Sequence, residues 1–92
     1  MKIACKIIVS GTVQNVFYRR FIKEKADNLG LCGFVRNLQN GDVEIFVEGD
    51  KNKIKELIEE AKKEPKYSLV KNVTIEEKKW VGESKEFKIL SF

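Results

Sequence analysis

An α+β sandwich, with two helices laid over one face of a single antiparallel sheet, is the fold class this sequence predicts. Three observations carry that prediction. Segments with apolar residues at every second position are interleaved, in a fixed order, with two segments whose apolar residues recur every third or fourth position. The two helical segments are similar in length and each has one apolar stripe, so each needs a sheet face to cover. The chain has 92 residues, 42% of them hydrophobic, which suffices for one core and falls short of two. One domain over residues 1–92 is therefore expected.

The elements follow in chain order. Ile3 to Val9 predicts a strand, with Ile3, Cys5, Ile7 and Val9 on one face and Ala4, Lys6 and Ile8 on the other. Gly11 interrupts it. Tyr18 to Leu29 predicts a helix through the stripe Tyr18, Phe21, Ile22, Ala26 and Leu29, and Gly30 stands where a left-handed C-terminal residue belongs. Cys32 to Leu38 and Asp42 to Glu48 predict a hairpin. Its Asn40-Gly41 centre predicts a two-residue type I′ turn with both central residues at positive φ. Val43, Ile45 and Val47 there alternate with Glu44, Phe46 and Glu48. Asp50 can cap a second helix over Lys51 to Lys63, whose stripe is Ile54, Leu57, Ile58 and Ala61; Pro65 lies beyond its end. Leu69 to Lys79 predicts a fourth strand, with Val73 and Ile75 on one face. After a turn near Gly82, Phe87 and Ile89 mark a last strand.

The order is β-α-β-β-α-β plus a C-terminal strand. Right-handed crossovers leave few ways to wind it, and the ferredoxin-like split β-α-β arrangement is the natural solution. There the third strand lies between the first and second. Cys5 and Cys32 would then be about 9–10 Å apart, beyond the ~7 Å limit for a disulfide, so two free thiols are expected.

Composition removes whole classes of chemistry. The chain has no histidine, which excludes Ser-His-Asp and Cys-His nucleophiles, His-ligated zinc and a histidine base. Two cysteines without CxxC spacing form no disulfide framework. The opening MKIACKIIVS is too short, and too broken by Lys6, for the apolar region of a signal peptide. No stretch approaches the ~20 apolar residues that span a bilayer. A soluble cytoplasmic protein is the expectation. The net charge is +4, but lysines alternate with glutamates in runs such as Lys51–Lys63, as on a solvated face. Arginine is used differently. Only Arg19, Arg20 and Arg36 occur, against fifteen lysines, and arginine holds phosphate or carboxylate through a planar fork that lysine lacks.

Gly11-Thr12-Val13-Gln14-Asn15-Val16 joins the first strand to the first helix, running into Phe17-Tyr18-Arg19. Backbone N–H groups without helical partners and the positive end of the helix dipole meet there, a setting that can cradle an anion. Gly11 lets the chain turn, Asn15 tolerates positive φ, and Arg19 lies one turn into the helix. By itself the pattern fits an anion cradle or an ordinary connection.

The segment GTVQNVFYR closely resembles the G-x-V-Q-G-V-x-[FY]-R signature of acylphosphatases. In the same register, Leu29-Gly30-Leu31 and Gly33-Phe34-Val35-Arg36-Asn37 resemble the family's L-G-L-x-G-[WF]-V-x-N. Asn40-Gly41-Asp42-Val43-Glu44 resembles its D-G-x-V-E hairpin, and Gly49 follows at the family's distance. Pro65, Ser68, Val70 and Val73 resemble P-x-x-[SA]-x-V-x-x-V. The likeness covers nearly the whole chain, as one acylphosphatase-like domain.

That resemblance implies hydrolysis of acyl phosphates to a carboxylate and inorganic phosphate. It puts the phosphoryl group on the loop Gly11, Thr12, Val13, Gln14, Asn15 and Val16 and on Arg19, and the attacking water on Asn37. It also implies no metal or other cofactor and no phosphoenzyme. The chemistry accounts for the missing histidine, since a carboxylate with a pKa near ~4 leaves without a general acid. Positioning and charge stabilisation are most of what phosphoryl transfer needs. The expected partners are a small acyl phosphate and phosphate, with no nucleic acid and no membrane, on a monomer. Arg20, about 100° round the helix, is expected to face solvent, and Arg36 to point away from Asn37's face. Gln14 is expected to brace the loop. Glu44 and Glu48 share a strand face and have no evident catalytic partner.

Two departures from the family pattern stand out. Asn15 replaces the usual glycine; in left-handed geometry it costs about 1 kcal/mol more than glycine and predicts weaker phosphate binding or a strained loop. Glu64 replaces a glycine before Pro65, which concerns the turn alone. As alternatives, an RNA-binding module of the same element order needs more stacking aromatics than Phe34 and Phe46, and a non-catalytic acylphosphatase-like domain, as at the start of carbamoyl-transferring hydrogenase maturation proteins, is usually followed by others.

Overall fold

The alternation of Ile3, Cys5, Ile7 and Val9 makes the first strand the spine of the sheet. In the computed structural model, which describes residues 1–63, 65 and 67–91, β1 (Lys2–Thr12), β2 (Cys32–Asn37), β3 (Val43–Asp50), β4 (Leu69–Lys78) and β5 (Phe87–Leu90) form one sheet in the order β4-β1-β3-β2-β5. Helices α1 (Val16–Asn28) and α2 (Lys51–Lys62) provide the cover. Tyr18, Ile22 and Ala26 of α1 and Ile54, Leu57, Ile58 and Ala61 of α2 are buried against Ile7, Val9, Val35, Val43, Ile45 and Val47. Each large apolar side chain so buried is worth about 1.5–3 kcal/mol over an exposed one. β3 separates β1 from β2, and Cys5 and Cys32 are both free.

The sheet is not antiparallel throughout. β1 pairs antiparallel with β3 and β4, and β2 with β3, but β5 runs parallel to β2. The cause lies in residues 79–86, which stay at the end of the sheet where β4 finishes. There Lys78 faces Ala4, and Phe87 enters beside Gly33. β5 must then leave opposite to β4, which is the direction of β2. The crossing is tied down by Glu48, whose carboxylate accepts from the N–H groups of Val81 (3.3 Å), Gly82 (2.9 Å) and Ser84 (3.1 Å).

Local ends differ from expectation in three places. β1 runs through Gly11, which pairs with Val70 while Ser10 pairs with Asn72, so that Lys71 is an extra residue in β4. Gly11 has φ +133°, and a side chain there would collide with the Leu69 carbonyl. The hairpin is not type I′. Asn40 is not among the positive-φ residues, whereas Gly41 is, at +98°. Gly41 N–H donates to Leu38 O (3.3 Å) and Leu38 N–H to Asp42 O (2.8 Å). That is a three-residue loop, a turn followed by a left-handed glycine bulge. Third, α1 begins at Val16, two residues before the expected start. Its other end is as expected: Gly30 N–H donates to Asp27 O and Leu31 N–H to Ala26 O, a Schellman motif with Gly30 at φ +69°. Asp50 caps α2 through the N–H groups of Asn52 and Lys53. Glu64, and the departure noted there, lies outside the described residues. Among those residues no helix is long and apolar enough to cross a membrane.

Candidate active site

The connection from β1 to α1 is held from both sides. Val13 is fully buried and anchors its middle. Gln14 Nε2 donates to Leu38 O (2.6 Å) and to Asp42 O (2.8 Å), the two carbonyls flanking the hairpin turn. The bracing expected of Gln14 is present. Asn15 differs from expectation: its backbone is extended, at φ −140° and ψ 160°, not left-handed. Its Oδ1 accepts from Tyr18 N–H (3.0 Å) and so caps α1, which is why the helix starts early. Its Nδ2 donates to Ser68 Oγ and to Tyr67 O, both at 3.1 Å. The left-handed asparagine penalty therefore does not arise.

Of the loop's donors, Asn15 N–H is used internally, on Val13 O at 3.0 Å. Those of Gln14, Val16 and Phe17 have no partner among the described residues. The first turn of α1 carries no acidic residue to offset its positive end. An anion would meet uncompensated donors there.

Arg19 and Asn37 come to this corner from two elements. Arg19 is one turn beyond Asn15 on α1, its N–H contacting Asn15 O at 3.5 Å. Asn37 ends β2 opposite Val43, which in turn faces Val9 two residues before Gly11. It lies on the same sheet face as buried Val35, the helix side. The next residue, Leu38, is the one Gln14 grips. Arg19 Nε and Asn37 Oδ1 are both shut off from solvent and have no hydrogen-bond partner among the described residues. A buried polar group left unpaired costs about 1–3 kcal/mol, so each of the two is a candidate contact for a ligand.

The remaining sequence candidates are dispersed. Arg20 is exposed. Arg36 is on the opposite face from Asn37, its Nε 2.6 Å from Glu44 Oε1 across the hairpin. Glu48 serves the crossing segment; burial alone would raise its carboxyl pKa, but the N–H groups of Gly82, Ser84 and Val81 and the Ser84 hydroxyl outweigh that and hold it below the usual range. Among the described residues no three His, Cys, Asp or Glu side chains gather as a metal-ligand set. Sequence reasoning missed Asn15 as the cap of α1. The signal was available, since asparagine before a helical stripe is a favoured N-cap.

Comparison with known proteins identifies the family of the chain. The family model described as Acylphosphatase matches residues 5–89. An acylphosphatase of Acaryochloris marina is 42% identical over 88 residues, covering 96% of this chain and 94% of that protein. The crystal structure of acylphosphatase from Bacillus subtilis is similar at a TM-score of 0.91 and 33% identity, covering 98% of this chain and 99% of the other. T. kodakarensis HypF also contains a similar region, at a TM-score of 0.83 and 34% identity, but the match covers only 12% of that chain. With the family model spanning nearly all of its strands and both helices, the chain belongs to the acylphosphatase family.

Proposed function

We propose a division of labour within acyl phosphate hydrolysis, the reaction of this acylphosphatase. Unpaired N–H groups of the Gly11–Val16 loop, with that of Phe17, bind the oxygens of the phosphoryl group. The Arg19 guanidinium adds charge-assisted donors from α1. Asn37 Oδ1 accepts a hydrogen bond from the attacking water and aims it at phosphorus. The new P–O bond forms as the bond to the acyl oxygen breaks, and the carboxylate leaves with the electron pair. The water's proton passes to a phosphoryl oxygen of the substrate, giving inorganic phosphate and the free acid anion. Because the leaving group is already a weak base, no protein acid is required.

One observation carries the assignment: Arg19 Nε and Asn37 Oδ1 are both buried and unpartnered beside a helix N-terminus without acids. The enzyme is read further as a cytoplasmic monomer of one domain that uses neither metal nor cofactor and binds neither nucleic acid nor membrane. Support for metal-free turnover comes from the leaving group, which needs no Lewis acid. The test is hydrolysis of acetyl phosphate and benzoyl phosphate with a chelator present. Turnover should persist, inorganic phosphate should compete, and Arg19→Ala and Asn37→Ala should each lower kcat by about 10²-fold or more. Turnover that survives Arg19→Ala would remove the mechanism.

A further inference from the structure

The unpaired donors assigned above to the phosphoryl group stand on either side of one residue. The N–H of Gln14 precedes Asn15, and those of Val16 and Phe17 follow it. The backbone torsions of Asn15 therefore set how these groups point relative to one another, because each N–H turns with its rigid peptide plane. In the family pattern a glycine stands here, a residue whose torsions are the least restricted of any. In this chain they are held. Asn15 N–H is engaged on Val13 O at 3.0 Å, and the backbone is extended at φ −140° and ψ 160°.

The side chain holds the residue in two directions. Oδ1 accepts from Tyr18 N–H (3.0 Å) and ties it to α1. Nδ2 donates to Tyr67 O and to Ser68 Oγ, both at 3.1 Å, and ties it to the connection between α2 and β4. That connection is itself anchored. Ser68 N–H donates to Pro65 O at 2.9 Å, and the next residue, Leu69, pairs with Thr12 at the start of the same loop. A closed ring results: Thr12 to Leu69 through the sheet, Leu69 to Ser68 through the chain, and Ser68 back to Asn15 through the amide. Donors fixed before an anion arrives lose little freedom when it binds, and that is how preorganisation raises affinity.

We propose that Asn15 is a positioning residue for the phosphoryl group. Through its tie to Tyr67 and Ser68 it keeps the N–H groups of Gln14, Val16 and Phe17 directed at the anion, so that phosphate and acyl phosphates bind more tightly than with glycine in its place. The proposal rests on the phosphoryl site assigned above. An extended, tethered asparagine thus acts in the opposite sense to a left-handed one, which would strain the loop.

The experiment measures inhibition of acetyl phosphate hydrolysis by inorganic phosphate in the unsubstituted protein, Asn15→Gly, Asn15→Ser and Ser68→Ala, below the temperature at which any of them unfolds. The inhibition constant for phosphate should rise about three- to tenfold in Asn15→Gly, the scale of one lost hydrogen-bonded restraint. KM for acetyl phosphate should rise with it, and by more than kcat falls, because the restraint serves substrate and product phosphate alike. Asn15→Ser keeps an oxygen to cap α1 but has no amide to reach the connection, so it should match Asn15→Gly. Ser68→Ala removes one anchor outside the loop and should move the constant the same way by a smaller factor, since Tyr67 O still holds the amide. An Asn15→Gly protein that is less stable but keeps the parent's inhibition constant has lost a structural tie alone, which overturns the proposal. Asn15→Ser with the parent's constant overturns it too, since the cap would then account for the effect. In both cases competition by phosphate in the unsubstituted protein leaves the phosphoryl site standing. Phosphate that fails to compete there overturns that site and the proposal with it.

Discussion

At the scale of single residues, Asn15 shows how one substitution can change its role with its backbone. In the family pattern a glycine stands at this position, and a positive φ is the natural reading of it. Here the backbone is extended and the side chain makes three hydrogen bonds, to Tyr18 N–H, Tyr67 O and Ser68 Oγ. Losing a cap costs about 1 kcal/mol, and glycine retains most of it through solvated backbone. Asn15→Ala should therefore lower stability by about 1–2 kcal/mol, and Asn15→Gly by about 1 kcal/mol through the lost tethers and the freer chain. Urea midpoints of both variants check this; midpoints equal to that of the parent would show the tethers contribute nothing. The bracing by Gln14 was legible because its residue type and spacing match a family signature. The reach of Asn15 to residues 67 and 68 was not, because it depends on where the α2–β4 connection passes, more than fifty residues along the chain.

Among the elements, the two helices were readable from their stripes, and what joins them was not. Tyr18 O–H donates to Ala61 O at 2.7 Å across the helix pair, both groups being buried. Burial pushes the phenol's pKa far up, so it stays a donor at any ordinary pH. Ala61 lies in the last turn of α2, where carbonyls lack intrahelical donors. Tyr18→Phe should therefore cost about 1–3 kcal/mol with little change in packing, as read from thermal or denaturant unfolding. A cost near zero would mean that water takes over the bond. The hairpin teaches a related lesson. Asn-Gly signals a tight turn, but the register is fixed by inward Val35, Val43 and Ile45. Those place Asn37 opposite Val43 and leave one residue too many for a two-residue loop. The same register delivers Asn37 to the helix face, so the turn's type is a by-product of that placement.

For the whole molecule, the segment over 79–86 matters most, and one buried carboxylate ties it down at three backbone N–H groups. Glu48 is 3% exposed and holds three backbone N–H groups. Its folded pKa lies below the unfolded value of about 4.3, so it stabilises the fold at neutral pH. That contribution fades as pH falls from about 4 through the lower folded value. Glu60, held low first by its hydrogen bond with Lys63, acts with the same sign. Glu48→Gln should unfold more easily at pH 7 and show a flatter loss of stability on acidification. Parallel acid limbs for the variant and parent would contradict this. The path of that segment, and with it the parallel β5, was illegible beforehand, since period-2 alternation marks a strand but says nothing of its neighbour. The order β4-β1-β3-β2-β5 has a consequence in time as well. β1, the spine, acquires both neighbours only after residues 43–50 and 69–78 exist, and Ala4 must find Lys78. Such distant closures are entropically expensive before any contact repays them, which slows this chain relative to a helical bundle of the same length. On a ribosome, the loop between β1 and α1 would emerge early and wait, unformed, for the strand that completes its wall.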